Sequence, residues 1–297
     1  MCCLFGLLDP NQTLTGPQKT RLLHLLATAA EVRGTDASGI AYNTKNKLVI
    51  RKAPVSGHAL RFRIPDDTIA VMGHARMTTQ GDEIFNRNNH PFLGNTPARA
   101  FALAHNGILH NGKELRRKLR LPHTPIQTDS YIAVQLIEHK RSLDFSSLKY
   151  MAETVEGSFT FTVLDAADNL WIVKGDNPLS LWRFPGGMYV YASTVEILST
   201  ALRGFGIPAE GAEKIQIDSG EIVKIGRDGI ITRGSFDDSR LYAGAWGWYP
   251  RCAPTSPMDE LKSAAVWMGY PPEMVDRYAA CGYGLEEIEE LLYEGEI

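Results

Sequence analysis

The grouping of short strands into two blocks is the feature that most limits how this chain can fold. A first block of apolar and β-branched stretches runs from residue 3 to residue 107. It is interrupted by a helical pattern at 17–33 and by a polar segment at 80–97 that is predicted to be an irregular loop. A second block runs from 157 to about 233, and helical patterns separate the two at about 111–119, 129–141 and 146–154. Strands that come in blocks predict packed α+β layers rather than alternating βαβ units.

Composition and charge exclude several classes of function. With a net charge of −3, the 297-residue chain has no electrostatic basis for binding nucleic acid or an anionic membrane surface. It shows no secretory signal pattern and no apolar run near the ~18 residues that cross a bilayer, so we expect a cytoplasmic protein with reduced thiols. The four cysteines lack metal-site spacing, and neither a metal nor a cofactor is expected.

A change of character after residue 232 predicts the domain organisation. Residues 1–232 suit one large domain. Residues 233–257 are aromatic and rich in Gly and Pro, which indicates a linker or a segment draped over the core. Residues 258–297 contain three short helical patterns separated by MGYPP and CGYG, which predicts a three-helix appendage. This appendage is a candidate docking module, and packing or oligomerisation of the core is the alternative.

The chain begins MCCLFG, with a cysteine directly behind the initiator methionine. Removal of Met1 would give Cys2 both a thiol, which titrates near ~8.5, and a free α-amine, which titrates near ~8. One residue could then supply a nucleophile and the base that activates it. The structural alternative is a strand in which both cysteines act as small apolar fillers.

Five polar clusters flanked by glycines follow in order along the chain. They are RGTDASG at 33–39, GHARMTTQG at 73–81, NNHPF at 88–92, AHNGILHN at 104–111 and TDS at 128–130. Each lies near the end of a predicted strand or helix, where binding and catalytic residues are commonly placed. A single cluster would indicate only turn chemistry. Five in order after an N-terminal cysteine indicate a site.

These motifs resemble the glutaminase domain of class II glutamine amidotransferases, which are N-terminal-nucleophile hydrolases with a cysteine nucleophile. The resemblance covers about residues 2–232, and it continues through GSFTFTVLD, GDNPLSLW, YVYASTVEIL and SGEIVKI. It implies a four-layer α/β/β/α sandwich of two antiparallel sheets, and L-glutamine as the substrate.

The resemblance also implies a role for each residue that matches the family's motifs. Arg76 matches the arginine that binds the glutamine carboxylate, and Asp129 matches the aspartate that receives the α-ammonium. Cys2 matches the nucleophile that forms a γ-glutamyl thioester, with its α-amine handling protons through water. Asn106, through its side-chain amide, and Gly107, through its backbone N–H, match the oxyanion hole. Ammonia leaves, and water then releases glutamate.

Four further residues have supporting assignments by the same resemblance. Arg33 and Asp36 match the RGxDxxG motif, in which the arginine orders the surroundings of the nucleophile; a charged turn that braces the site is the structural alternative. Thr79 matches a threonine beside the arginine clamp and is expected to line the glutamine pocket. His90 lies in a loop that covers glutamine in the family, where contact rather than chemistry is expected.

The sequence departs from the family's motifs at several positions. Cys3 replaces the usual glycine, which places a second thiol beside the nucleophile. Met77 and Gln80 stand where many members have Trp and His, so the pocket lining is expected to differ. His74 and His105 fall in matching motifs and are expected to pack structurally.

The fate of the ammonia is the last expectation. Only about 65 residues follow residue 232, and they contain no phosphate-binding loop or other synthase motif, so we expect a stand-alone glutaminase component. An ammonia-accepting synthase or ligase would then act in trans, and a homo-oligomer is compatible with the sequence. The alternatives are an amidase of the same fold that acts on γ-glutamyl or other small amides, and a non-catalytic protein that senses glutamine.

Overall fold

The computed structural model of the protein describes most of the chain in two compact units. The first unit holds residues 2–45, 47–208 and 211–241, and the second holds residues 258, 261–262, 265 and 270–294, of which 286, 289, 290, 293 and 294 are described by their backbone alone. The expected linker at 233–257 falls largely outside the described residues.

Two antiparallel sheets form the centre of the first unit. The first sheet has seven strands, which are β1 Cys3–Leu8, β2 Ala37–Thr44, β3 Lys47–Ala53, β4 Ala70–Arg76, β9 Ser180–Arg183, β10 Tyr189–Ala192 and β11 Glu213–Ile215. The second has six, which are β5 Phe92–Asn95, β6 Ala100–Leu109, β7 Gly157–Asp165, β8 Leu170–Lys174, β12 Glu221–Ile225 and β13 Ile231–Ser235. Their orders are β11-β9-β10-β1-β4-β2-β3 and β13-β12-β8-β7-β6-β5.

Helices cover the outer face of each sheet. They are α1 Gly16–Ala29, α2 Gly112–Lys118, α3 Tyr131–Lys140, α4 Phe145–Thr154 and α5 Val195–Phe205. The first helix begins at Thr15, which forms a capping box with Gln18, and Pro17 lies in its first turn. The sequence signals for this helix therefore agree with its observed start.

Alternation along the strands separates three apolar layers. In β1, Phe5 and Leu7 pack with α1 and α5, whereas Leu4 and Leu8 pack between the two sheets. The layer between the sheets also contains alternate residues of β4 and β6, and a third layer joins the second sheet to α3 and α4. The order of layers is α/β/β/α, which confirms the fold expected from the resemblance.

Several elements differ from the sequence-based expectations. The segment at 80–97, expected to be irregular, contains strand β5 and a short 3-10 turn at Asn86–Asn88, because Phe92 is anchored in the core beneath α3. Helix α5 was not predicted, although Thr194 caps its start and Gly206 ends it in the left-handed conformation. Strand β13 continues to Ser235, so residues 233–235 pair with β12 in the second sheet.

The second unit is helical where it is described. Helices Glu273–Ala280 and Leu285–Glu294 confirm two of the three predicted C-terminal helical patterns, and the first pattern lies mostly outside the described residues. Their small core consists of Leu261, Ala265, Val275, Ile288 and Leu292. Within the ranges described above, no helix combines the length and apolar character needed to cross a membrane.

Candidate active site

Strand ends from both sheets meet at one pocket. Cys2 precedes β1 and Arg76 ends β4, and the two strands are paired so that Cys3 lies opposite Ala75. The second sheet contributes the end of β6, and the turn before α3 contributes Asp129. The structure brings six of the nine predicted site residues to the wall of this pocket: Cys2, Arg76, Thr79, His90, Gly107 and Asp129.

The Cys2 thiol is partly buried at the floor of the pocket. Its Sγ donates to the carbonyl oxygen of Met77 at 3.5 Å. Burial raises the pKa of the Cys2 thiol, while the Met77 hydrogen bond and the Arg76 charge act in the opposite direction. A thiol with a raised pKa is protonated at neutral pH, so it needs a base before it can attack.

The neighbouring thiol of Cys3 lies on the other face of β1. It is fully buried on the helix side, its Sγ lies 3.4 Å from the Leu4 carbonyl oxygen, and burial raises its pKa to about 11. Cys3 is therefore accommodated by the core and is not a competing nucleophile.

Arg76 is held by its surroundings through three hydrogen bonds. Nη1 donates to Asn89 Oδ1 at 2.7 Å, and Nη2 donates to the carbonyl oxygens of Gln80 and Gly81, each at 2.7 Å. Burial lowers the pKa of this guanidinium, and the nearby carboxylates of Asp129 and other acidic residues act against that change. Three of the five N–H donors are used, which leaves two for another acceptor.

Asp129 lies across the pocket from the first sheet. Its Oδ2 accepts a hydrogen bond from the Leu109 backbone N–H at 2.6 Å, and Ser130 Oγ lies 3.5 Å from its Oδ1. The carboxylate is thus oriented by the backbone of β6 and keeps acceptor capacity toward the pocket. The free space in the pocket is about 10 Å³, room for about one water molecule.

Asn106 and Gly107 have unusual local environments. Asn106 is 1% exposed, and neither its amide nitrogen nor its amide oxygen has a hydrogen-bond partner among the described residues. Asn106 lies on the same face of β6 as Ala102 and Ala104, which pack between the sheets. Cys2 precedes β1 at the position that alternation assigns to the face of Leu4, which packs in the same layer. A buried, unpaired amide is costly, and such groups are rare.

Gly107 cannot be replaced without moving the backbone. Its φ is 141°, and a Cβ there would lie 1.9 Å from the Ser158 carbonyl oxygen. Glycine therefore lets the β6 peptide approach both β7 and the pocket.

Arg33 and Asp36 form hydrogen bonds with the backbone of residues at and next to the pocket wall. Arg33 Nε donates to the Cys2 carbonyl oxygen at 3.0 Å. Asp36 Oδ2 accepts from the Thr78 N–H at 2.6 Å, and its own N–H donates to the Arg76 carbonyl oxygen at 3.0 Å. These contacts hold the nucleophile's backbone and the start of the loop that follows β4.

Three buried histidines lie at the pocket: His90 and His105 line it, and His74 contacts both of them. His74 Nε2 donates to the His105 carbonyl oxygen at 2.9 Å, and burial lowers the pKa of His74 to about 3. His105 contacts Ser130 Oγ through Nδ1 at 2.8 Å, and burial lowers its pKa as well. His90 stacks on His74 with ring centroids 4.1 Å apart, and burial lowers its pKa well below the usual value. All three are therefore neutral near pH 7.

Sequence reasoning missed Asn89, which is fully buried and connects Arg76 to the loop. Its Oδ1 accepts from Arg76, and its Nδ2 donates to the Glu83 carbonyl oxygen at 2.7 Å. The only signal was its place in NNHPF, where asparagine is also a common turn residue.

A larger cavity of about 560 Å³ lies at the opposite end of β1, near Pro10. None of the described residues that line it is a cysteine, serine or histidine.

Comparisons with known proteins agree with this geometry. Residues 74–200 match a family model described as a glutamine amidotransferase domain. The chain is 25% identical over 241 residues to a glutamine–fructose-6-phosphate aminotransferase (isomerizing) of Streptococcus agalactiae, covering 74% of this chain and 38% of that protein. It is 27% identical over 246 residues to an amidophosphoribosyltransferase of Staphylococcus aureus, covering 78% of this chain and 46% of that protein. The chain thus spans less than half the length of these relatives.

A solved structure shows the same fold. The glutamine phosphoribosylpyrophosphate amidotransferase of B. subtilis superposes with a TM-score of 0.60 at 23% identity, covering 80% of this chain and 49% of that chain.

Proposed function

We propose that this chain hydrolyses the side-chain amide of L-glutamine through a γ-glutamyl thioester on Cys2. The family and structural matches support a class II glutamine amidotransferase domain of the N-terminal-nucleophile class. One observation carries the proposal. A thiol, a buried guanidinium and a carboxylate line the same small pocket, and next to it lies a buried amide that has no hydrogen-bond partner among the described residues.

In this proposal the amino-acid head group is bound by opposite charges. The glutamine carboxylate accepts from Arg76, and the α-ammonium donates to Asp129. Since the Gln80 and Gly81 carbonyls occupy the Nη2 hydrogens and the pocket holds about one water, glutamine displaces these carbonyls as it binds. An amide that lacks either charge leaves one of the two residues unpaired, which favours a free amino acid over other small amides.

The chemistry then proceeds in two steps. The Cys2 Sγ–H proton passes, through water, to the Cys2 α-amine as Sγ bonds to the δ-carbon. The oxyanion accepts hydrogen bonds from Asn106 Nδ2 and the Gly107 N–H, each worth about 2.7–4 kcal/mol in comparable enzymes. The protonated α-amine of Cys2 then gives its proton to the amide nitrogen of glutamine, the C–N bond breaks, and ammonia leaves. Water then attacks the thioester, which gives glutamate and restores the thiol.

This mechanism requires a free α-amine on Cys2, and hence removal of Met1. We propose that the ammonia passes to an acceptor handled by a partner enzyme acting in trans. The relatives are a glutamine–fructose-6-phosphate aminotransferase and an amidophosphoribosyltransferase, names that join a nitrogen donor to an acceptor.

Intact mass tests the proposal on one sample of the full chain. The mass is measured before and after treatment with 6-diazo-5-oxo-L-norleucine, an alkylating analogue of glutamine. We expect loss of Met1 and a single adduct on Cys2 that excess glutamine prevents. A retained Met1 with no adduct would contradict catalysis and would favour a glutamine-sensing protein.

A further inference from the structure

Lys52 is an inward-facing lysine outside the pocket wall. It lies on β3 opposite Gly39 of β2. Its ammonium donates to the carbonyl oxygens of Asn89 at 2.6 Å and Pro91 at 3.0 Å, and it sits 5.1 Å from the centre of the Phe92 ring. Among the described residues, none of the ion pairs includes this lysine.

An ammonium without a carboxylate is an expensive group to bury. Burial alone lowers the pKa of Lys52 to about 8, and the two carbonyls with the aromatic face provide its compensation. A methionine would fill the same space without this penalty. Packing alone therefore does not explain why a charged side chain lies at this position.

The two carbonyls belong to the segment that holds Arg76. Asn89 is held at its backbone by Lys52, and its side-chain Oδ1 accepts from Arg76 Nη1 at 2.7 Å. The segment lies directly on β2, since a Cβ on Gly39 would be 2.2 Å from the His90 carbonyl oxygen. Lys52 also has a second link to the segment, because Asn86 Nδ2 donates to its carbonyl oxygen at 2.8 Å.

We propose that Lys52 is a positioning residue for substrate recognition: its ammonium fixes Asn89, and Asn89 sets the orientation in which Arg76 receives the α-carboxylate of the substrate. This inference rests on the proposed hydrolysis of glutamine. It assigns Lys52 to binding of the carboxylate and not to the chemistry at the amide.

Steady-state kinetics of Lys52→Met provide the first test. We expect KM for glutamine to rise about tenfold while kcat stays within about twofold, as for the loss of one charged hydrogen-bond network. Lys47→Met, on the same strand but exposed, is the matched control and should change neither constant. Lys52→Arg, which keeps the charge and can donate to both carbonyls, should recover most of the affinity.

Competitive inhibitors show whether the effect passes through the carboxylate. L-glutamate carries the α-carboxylate, and 4-aminobutanoate is the same molecule without it. In Lys52→Met we expect the inhibition constant of glutamate to rise about tenfold and that of 4-aminobutanoate to change less than about twofold. Equal losses for both inhibitors would mean a general structural role and would overturn the proposal.

A double mutant tests the route through Asn89. Asn89→Ala should reproduce the rise in KM, and adding Lys52→Met to it should cause little further loss, because the two act in series. Multiplied losses near a hundredfold would overturn this route. If the wild-type protein hydrolyses glutamine and Lys52→Met has the same KM, the proposed role of Lys52 is refuted but the proposed function is not. Wild-type protein that hydrolyses no glutamine would refute both this role and the proposed function.

Discussion

Arg76 lies on the first sheet and Asn106 on the second, and their hydrogen-bonding environments are opposite. Both are buried, and each alternates in phase with the residues that pack between the sheets. Arg76 makes three hydrogen bonds, whereas Asn106 has no partner for either amide atom among the described residues. A group that binds a charge already present in the substrate can make hydrogen bonds within the protein beforehand and exchange some of them for the substrate. A donor for charge that develops only during reaction gains its partner in the transition state.

Removing the nucleophile sets the reference for this comparison. Cys2→Ala should lower glutamine hydrolysis more than about 10⁴-fold, because neither Arg76 nor Asn106 can replace the thiol as the nucleophile. Cys3→Ala is the matched control, and it should retain most of the activity because its thiol faces the helix layer. A colorimetric assay for glutamate measures both. Substantial activity in Cys2→Ala would contradict the mechanism.

Asn106→Ala should act on the chemical step. Loss of one oxyanion donor is expected to lower kcat about 10²–10³-fold with little change in KM. Initial rates over a range of glutamine concentrations separate the two constants. A rise in KM at constant kcat would place Asn106 in ground-state binding and would remove the contrast with Arg76.

Arg76→Met should act on binding. The loss of the carboxylate partner is expected to raise KM about a hundredfold, with a smaller change in kcat. Asp129→Asn should raise KM in the same way from the opposite side of the pocket. The outcome that speaks against this assignment is a fall in kcat with an unchanged KM in both variants.

The comparison also predicts opposite effects on stability. Asn106→Leu removes a buried amide that has no partner within the described part of the chain, and it should raise the free energy of unfolding by about 1 kcal/mol. Arg76→Met strands three acceptors and should lower it by about 2 kcal/mol or more. Urea denaturation of the two variants and the wild type gives these values. A loss of stability in Asn106→Leu would show that the amide has a partner after all.

The smallest effect concerns pH. The pKa of Lys52 is lowered to about 8, so its charge, and with it the hold on Asn89, is present below that pH and is lost as pH rises through it. Since loss of the charge is expected to raise KM about tenfold, a pKa of about 8 predicts that KM for glutamine rises about fivefold between pH 7 and 9. His90, which feels the Lys52 charge, has its pKa far lower through burial and does not titrate in this range.

The control for the pH effect is Lys52→Arg, whose charge persists. Titration of Cys2 and its α-amine is common to both proteins and cancels in the ratio of their KM values. A ratio that stays constant from pH 7 to 9 would exclude Lys52 as the titrating group.

Motif order was enough to name six of the residues that line the pocket, because residue types such as a leading cysteine and an HNG segment are tied to local chemistry. The contacts of Lys52 could not be predicted in this way. In KLVIRKA it is in phase with the apolar Leu48 and Ile50, but its partners come from a segment nearly 40 residues away, which the strand pattern does not show. Strand β5 was missed for a similar reason, since its four residues are defined by pairing with β6 rather than by their own pattern.

The most direct test of the central claim is to trap the covalent intermediate. Wild-type protein is mixed with glutamine, quenched in acid within the first turnover, digested and examined by mass spectrometry. The account predicts a γ-glutamyl group on the N-terminal Cys2 peptide that hydroxylamine removes, and its absence in Cys2→Ala. Glutamate release without any adduct on Cys2, or with an adduct on another residue, would contradict the account.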